Sequence, residues 1–408
     1  MIRYHASWIL PINESPIRDG WFAVDHGRVV ALGAAGKRVL SDGARVVDLG
    51  HVAVLPGLVN AHTHLELSYL RDEVPPASQF VTWIRGVMSA RRERPDPGGK
   101  EIRDAIDGAL REAVACGTAI VGDISNTLVT YEPLTRSRLA AVVFYELIRF
   151  NTPDPAGVVS KALADLHALA PSEHVRATLA AHAPYSVSPL VLRAIREAVN
   201  RDPFSPCSIH LSESAEEMEF IRSGAGPWRA LLEELGSWDP TWIPPGGTPV
   251  QFLDDSGFLD SRLLAVHGVQ MTTGDLDRLV ARGTTLVACP RSNGHTGAGA
   301  PPLEDFYNYG VKVAVGTDSL ASAPDLNVFA ELATMRALAP TVSASALLDS
   351  ATRQGARALG FDADFGTIEP GKSARLIAVS VPADTEDVEE YLVGGIEQAQ
   401  IRWVEEIC

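Results

Sequence analysis

Eight short apolar runs, spread over residues 57–318, constrain what this chain can fold into more than any other feature. They are GLVNAH (57–62), TAIVGD (118–123), AAVVFYE (140–146), VRATLAAH (175–182), CSIH (207–210), LLAVH (263–267), TTLVAC (284–289) and VKVAVGTD (311–318). Amphipathic stretches such as SPLVLRAIREAV and TTGDLDRLVARG lie between them. A strand that is apolar at every position is buried on both faces, and intervening helices provide that cover in a parallel sheet. Eight such units in roughly 300 residues is the count of a (β/α)8 barrel. The alternative, a doubly wound open sheet, is usually marked by GxGxxG after its first strand; that signal is absent.

The two ends read differently. SWILPI, GWFAVDHGRVVALG and ARVVDLG are short β-favouring segments with a hairpin-like DHGR turn, and GTIEPGKSARLIAVSV near the other end has the same character. The expected class is therefore α/β. A (β/α)8 catalytic barrel spans 56–364, and a small β-sandwich domain is assembled from 1–55 and 365–408.

Charge narrows the partners. The net charge is −16, and no Lys/Arg block marks a nucleic-acid surface. An acidic surface also disfavours anionic lipid, and no apolar run reaches membrane-spanning length. Cys116, Cys207, Cys289 and Cys408 are scattered without a CxxC, which fits a reducing cytoplasm. The start of the chain lacks a signal-peptide pattern. These features suggest a cytoplasmic protein with a small-molecule partner; a homo-oligomer is an open alternative.

Catalytic groups in a barrel of this kind sit at the C-terminal ends of the strands. The first run ends in His62 and His64, the fourth in His182, the fifth in His210, the sixth in His267 and the eighth in Asp318. Residues i and i+2 of a strand point to the same side, so His62 and His64 can grip one ion together. Imidazoles with a carboxylate suit a divalent transition metal such as Zn²⁺ or Fe²⁺. His62, His64, His210 and Asp318 form the expected ligand set. A second metal would need a bridging lysine, and no lysine falls at a strand's C-terminal end. One metal is the better reading.

PGLVNAHTHLE, HLSES (210–214), AVHG (265–268) and GTDSLAS (316–322) occur in the order of the amidohydrolase superfamily's motifs, and the chain resembles that superfamily over essentially its whole length. With HAPYSVS it is similar to the single-metal aminohydrolases: adenosylhomocysteine and methylthioadenosine deaminases, guanine deaminase and triazine hydrolases. HLSESAEEMEF, RSGAGP, TPVQFLDDSG and CPRSN look similar to stretches of aminodeoxyfutalosine deaminases. Two departures stand out. Arg375 replaces a common Asp, and CPRSN (289–293) replaces a His-Asn-Pro-x-Ser-Asn pattern beside the pocket.

The resemblance implies a metal-dependent hydrolase that releases ammonia from an aminated heterocycle. Glu213 would move the proton between water and the ring; its bland alternative is a first-turn glutamate favoured by the helix dipole. His267 would orient the attacking water, and Asp318 would help take its proton. His182 would touch the substrate or be a structural histidine. Glu146 would hold ribose hydroxyls or a ring nitrogen, or else pair with Arg149. Glu66 reads as a loop residue. Arg91 and Arg92 continue the apolar stripe of QFVTWIRGVMSARRE, and Arg291 lies on the loop after the seventh run. Guanidinium suits a carboxylate, so these three arginines either grip a distal substrate carboxylate or are solvated. If they grip it, an adenine nucleoside with a carboxylate arm, such as 6-aminodeoxyfutalosine on the route to menaquinone, is the expected substrate. The rivals are another single-metal aminohydrolase of the adenosylhomocysteine, guanine or triazine type, a binuclear amide hydrolase, and a catalytically dead scaffold.

Overall fold

The computed structural model describes residues 1–34, 45–203 and 205–407, so Cys408 lies outside the described residues. The strands in chain order are β1 (Ile2–Ile9), β2 (Ile17–Asp25), β3 (Arg28–Ala34), β4 (Arg45–Asp48), β5 (Val52–Pro56), β6 (Leu58–Thr63), β7 (Thr118–Ser125), β8 (Ala140–Leu147), β9 (Val175–Ala181), β10 (Cys207–Leu211), β11 (Leu263–His267), β12 (Thr285–Ala288), β13 (Lys312–Val315), β14 (Leu376–Ser380) and β15 (Ile401–Trp403).

Each of the eight apolar runs becomes one strand, β6 to β13. They form two parallel four-stranded sheets, ordered β6-β7-β8-β9 and β10-β11-β12-β13. Backbone hydrogen bonds link the two sheets at both sides. His210 N donates to His182 O (2.9 Å) beside β9 and β10, and Asp318 N donates to His62 O (3.0 Å) beside β13 and β6. Every residue of β6, β7, β10, β11 and β12 is buried, as strands covered on both faces require.

The covering helices carry local start and stop signals. Ser188 caps the helix Pro189–Val199, and Thr272 with Asp275 forms a capping box on the helix Thr273–Arg282, which ends at the left-handed Gly283.

The chain ends meet in one sheet of seven strands, ordered β15-β14-β5-β1-β2-β3 with β4 paired to β1. Among the described residues the second layer of the expected sandwich is not a separate sheet. Instead β1 takes two partners in succession: Ile2–His5 pair with β4 and Trp8–Ile9 with β5. Tyr4, Phe22, Val54 and Leu376 share an apolar cluster on this sheet.

A single residue, Gly57, separates β5 from β6. A β-carbon there would lie 2.6 Å from Ala119 Cβ and 3.0 Å from the Trp403 ring, so only glycine fits without displacement.

Candidate metal centre and cavity

His62 lies within β6, His210 within β10 and His267 at the end of β11, while His64 and Asp318 follow β6 and β13. The structure brings all five together. His64 Nε2 is 3.3 Å from His210 Nε2 and 3.5 Å from Asp318 Oδ1, and His62 Nε2 is 3.9 Å from Asp318 Oδ1. His267 and Asp318 hold left-handed backbone angles (φ 78° and 58°). Such angles are uncommon for residues other than glycine and recur at functional sites. Gly316 makes the close approach possible, since a β-carbon there would sit 2.8 Å from His62 Cβ.

The hydrogen bonds fix which nitrogens face inward. His210 Nδ1 donates to His182 O at 2.8 Å, which leaves the Nε2 lone pair toward His64. His267 Nδ1 donates to Asn293 Oδ1 at 2.8 Å, so its Nε2 is the acceptor 3.4 Å from Glu213 Oε1. Both ring nitrogens of the fully buried His62 lack a partner. Unpaired buried imidazoles, and two Nε2 atoms at 3.3 Å without a proton for both, are costly unless a cation joins them. His62, His64 and Asp318 offer ligand atoms close enough to share one ion, as do His62, His210 and His267, so the cluster fits a single divalent metal ion.

Burial pushes the imidazoles toward the neutral, ligating form. It lowers His64 to about 3 and His267 to about 4, and it carries His62 well below the ordinary range, with the neighbouring histidines adding to the effect. Burial alone would raise Asp318, but His64, His267 and the Ser292 hydroxyl outweigh it and keep the carboxylate charged. Glu213 is the opposite case. Burial, then the Asp318 charge, raises it well above the carboxylate range. The two neighbouring carboxyl groups are thus pushed in opposite directions, Asp318 down and Glu213 up.

The cluster forms the floor of a cavity of about 320 Å³. His182, Glu146 and Arg91 line it. His182 Nδ1 is 2.6 Å from Ser186 Oγ, and burial, with help from Arg91, lowers this histidine to about 4. Glu146 does not pair with Arg149. Its Oε2 accepts from Asn126 Nδ2 at 2.8 Å, and its Oε1 lies 3.5 Å from His210 Nδ1.

Two arginine expectations are corrected. In the helix Phe80–Glu93, Phe80, Trp83 and Val87 are buried. At about 100° per residue Arg91 falls roughly 20° from Phe80, but Arg92 falls about 120° away. Arg92 is accordingly exposed; it does not line this cavity but an adjoining open pocket that shares Arg91, Glu146 and Arg149 with it. Arg291 belongs to the helix Pro290–Thr296 rather than a loop, and also stays out of the cavity. Its Nε donates to Glu331 at 2.6 Å, Nη1 to Asp325 at 2.9 Å and Nη2 to Asp325 O at 3.0 Å. The fully buried Glu331 needs that cation.

Other site residues were misread or went unnoticed in the sequence. Glu66, read as a loop residue, lies instead in the short helix Leu65–Leu70 and is a buried hub that accepts from Ser125 Oγ, Asn126 N, Thr127 Oγ1 and Arg91. Glu217 takes the backbone N–H of Ser212 and Glu213 on its two oxygens and so holds the turn that presents Glu213. The S-x-x-E spacing from Ser214 to Glu217 was a visible capping signal for it. Arg149 lines the cavity and donates to the adjacent Ile148 O. Tyr185 and Trp228 line it too, and nothing local marked them.

Residues 53–400 match the amidohydrolase family. The chain belongs to that family. This amidohydrolase is a hydrolase acting on C–N bonds, and its fold is of the TIM-barrel type. It is 31% identical over 384 residues to a 5-methylthioadenosine/S-adenosylhomocysteine deaminase of Nitratidesulfovibrio vulgaris, covering 90% of this chain and 80% of that protein. It is 31% identical over 323 residues to the aminodeoxyfutalosine deaminase of Deinococcus radiodurans, covering 75% and 73%. Among solved structures, it is similar to Helicobacter pylori aminofutalosine deaminase in complex with methylthio-coformycin, with a TM-score of 0.84, 25% identity, and 98% and 100% of the chains covered. An adenosine deaminase from Xanthomonas campestris with bound zinc gives a TM-score of 0.79 at 27% identity, covering 98% and 90%. No helix among the described residues is long and apolar enough to cross a membrane.

Proposed function

We propose that this amidohydrolase is a single-metal hydrolytic deaminase of adenine-nucleoside-like substrates. The observation that carries the reading is the convergence of His62, His64 and Asp318, with His210 Nε2 3.3 Å from His64 Nε2, beside the buried Glu213. His62, His64, His210 and Asp318 would hold the metal. The zinc in the Xanthomonas structure favours Zn²⁺, with Fe²⁺ as the alternative. A divalent ion there would supply the nucleophile by lowering the pKa of bound water to ~7.

The chain's own groups do the rest. Glu213, whose burial favours the protonated form, gives that proton to the ring nitrogen; as a carboxylate it then takes the remaining proton of the attacking oxygen and passes it to the departing amine, and the proton left on Asp318 restores Glu213 for the next turnover. His267, kept neutral and fixed by Asn293, offers Nε2 as the acceptor that orients water. Asp318 is charged and can take the proton water gives up. Glu146 and His182 face the cavity where they can hold ring nitrogens or ribose hydroxyls. Residues 56–364 form the catalytic unit in this reading, and 1–55 with 365–408 the smaller β unit.

The finer proposal keeps the distal carboxylate and moves its partners. Arg149 and Arg91 line the cavity and take the place of Arg92 and Arg291. With them, 6-aminodeoxyfutalosine in menaquinone biosynthesis remains the best match, and the Deinococcus relative supports it. The methylthioadenosine/adenosylhomocysteine deaminases favour a second reading with the same chemistry and another arm. Ammonia release by metal-loaded protein tests both, over adenosine, 5′-methylthioadenosine, S-adenosylhomocysteine, aminodeoxyfutalosine, guanine and an amino-triazine. Release from the adenine nucleosides is expected. Release from guanine or the triazine alone would overturn the proposal.

A further inference from the structure

A polar chain runs from Arg91 on the cavity wall to the back of the metal cluster, and its donors and acceptors fall in one order. Arg91 Nη2 donates to the buried Glu66 at 3.3 Å, and Arg91 Nη1 donates to Asn126 Oδ1 at 3.0 Å. Arginine has only donors, so the amide oxygen of Asn126 must face it and the amide nitrogen must face away. That nitrogen donates to Glu146 Oε2 at 2.8 Å. The other oxygen, Oε1, is 3.5 Å from His210 Nδ1, the ring nitrogen that carries its proton toward His182 O. Both oxygens of Glu146 therefore meet N–H groups, which suits a carboxylate rather than an acid. Burial raises this carboxyl above its ordinary value, and the His210 ring and the Asn126 amide oppose the rise.

Although Glu146 borders the cavity, its Oε1 is buried and has no hydrogen bond. A buried carboxylate oxygen without a donor is costly in the metal-free protein. A divalent ion on His210 Nε2, at the opposite edge of the same ring, would draw charge from the imidazole and make its N–H side a better partner for that oxygen. We infer that Glu146 is a positioning residue of the metal centre: fixed by Asn126 and Arg91, its carboxylate supports His210 from behind and strengthens ion binding. The inference rests on the proposed metal site, not on the identity of the substrate, and adds a residue that tunes the ion without touching it.

The test titrates metal-free protein with Zn²⁺ against a competing chelator, with no nucleoside present. Thermal unfolding of the metal-free forms checks that each variant is folded. Glu146→Gln keeps the shape and removes the charge, and its Kd for Zn²⁺ should rise roughly 10- to 100-fold. Asn126→Ala leaves the carboxylate in place but untied, and its Kd should rise several-fold. An unchanged Kd in folded Glu146→Gln would overturn the inference, even if KM for a nucleoside rose, because Glu146 would then serve the substrate alone. If Glu146→Gln does not fold, an unchanged Kd in Asn126→Ala overturns it instead. Absence of Zn²⁺ binding by wild type would overturn the metal site and the inference with it. The expected loss of affinity in the variants, with no ammonia released from any nucleoside by wild type, would overturn the deaminase reading and uphold this inference.

Discussion

Two buried charged clusters lie in this molecule, one around His62 and one around Arg291. In the Arg291 cluster every nitrogen of the guanidinium has an acceptor within 3.0 Å, supplied by Glu331, Asp325 and the Asp325 carbonyl. In the His62 cluster both imidazole nitrogens of one ring are unpaired, and two Nε2 atoms face each other. The first is complete as it stands; the second requires something from outside the chain. Satisfaction of hydrogen-bonding groups, rather than burial or charge, separates a structural network from a binding site.

The sharpest way to break that comparison is to empty the His62 cluster. Asp318→Ala or His64→Ala should remove the metal and the activity together, as mass spectrometry and ammonia release would show. Tight metal binding in either variant would dissolve the distinction. Glu213→Gln should keep the metal but lose roughly a hundredfold or more in kcat.

The Arg291 cluster should respond in stability instead. Glu331→Gln leaves a buried guanidinium partly uncompensated and should cost about 3–5 kcal/mol in urea unfolding. Its kcat/KM below the transition should match wild type. A selective loss toward carboxylate-bearing nucleosides would return Arg291 to the binding site.

Asn293→Ala tests the layer behind the metal cluster. It frees the His267 ring to turn and should lower activity by about 10- to 100-fold. Normal activity would mean that β11 alone orients the ring.

The last test concerns pH. In metal-free protein His267 and His64 are held at about 4 and about 3, below the ordinary 6.5. Between those limits the unfolded chain binds more protons, so stability rises with pH there and is fully present above 6.5. It should fall on acidification from pH 6.5 toward 4, by at most about 1.4 kcal/mol per pH unit for each imidazole. His267→Asn should flatten the slope. An unchanged slope would show that other groups set it.

Much of this was legible in the chain. The eight apolar runs are local patterns, and each became one strand. Strand ends gave His62, His64, His210, His267 and Asp318, because a strand's direction puts its last residues on one rim. The arginines were harder. Helical spacing separates Arg91 from Arg92 only when the angle is counted rather than the interval. Arg291 finds Glu331 forty residues away, a pairing that no local pattern reports. The same holds for Glu66, whose partners lie on the segment after β7, and for Tyr185 and Trp228, which meet only in the folded chain. Among the described residues the terminal strands form one sheet in which β1 pairs with both β4 and β5, so a second layer is not seen as a separate sheet.

Gly57 ties these parts together mechanically. It leaves no slack between β5 in the terminal sheet and β6, which carries His62 five residues later. Trp403, from the far end of the chain, braces the same joint. The terminal sheet thus acts as the datum from which the first metal ligand is aligned, and wear at the periphery would be registered at the centre as a misaimed imidazole.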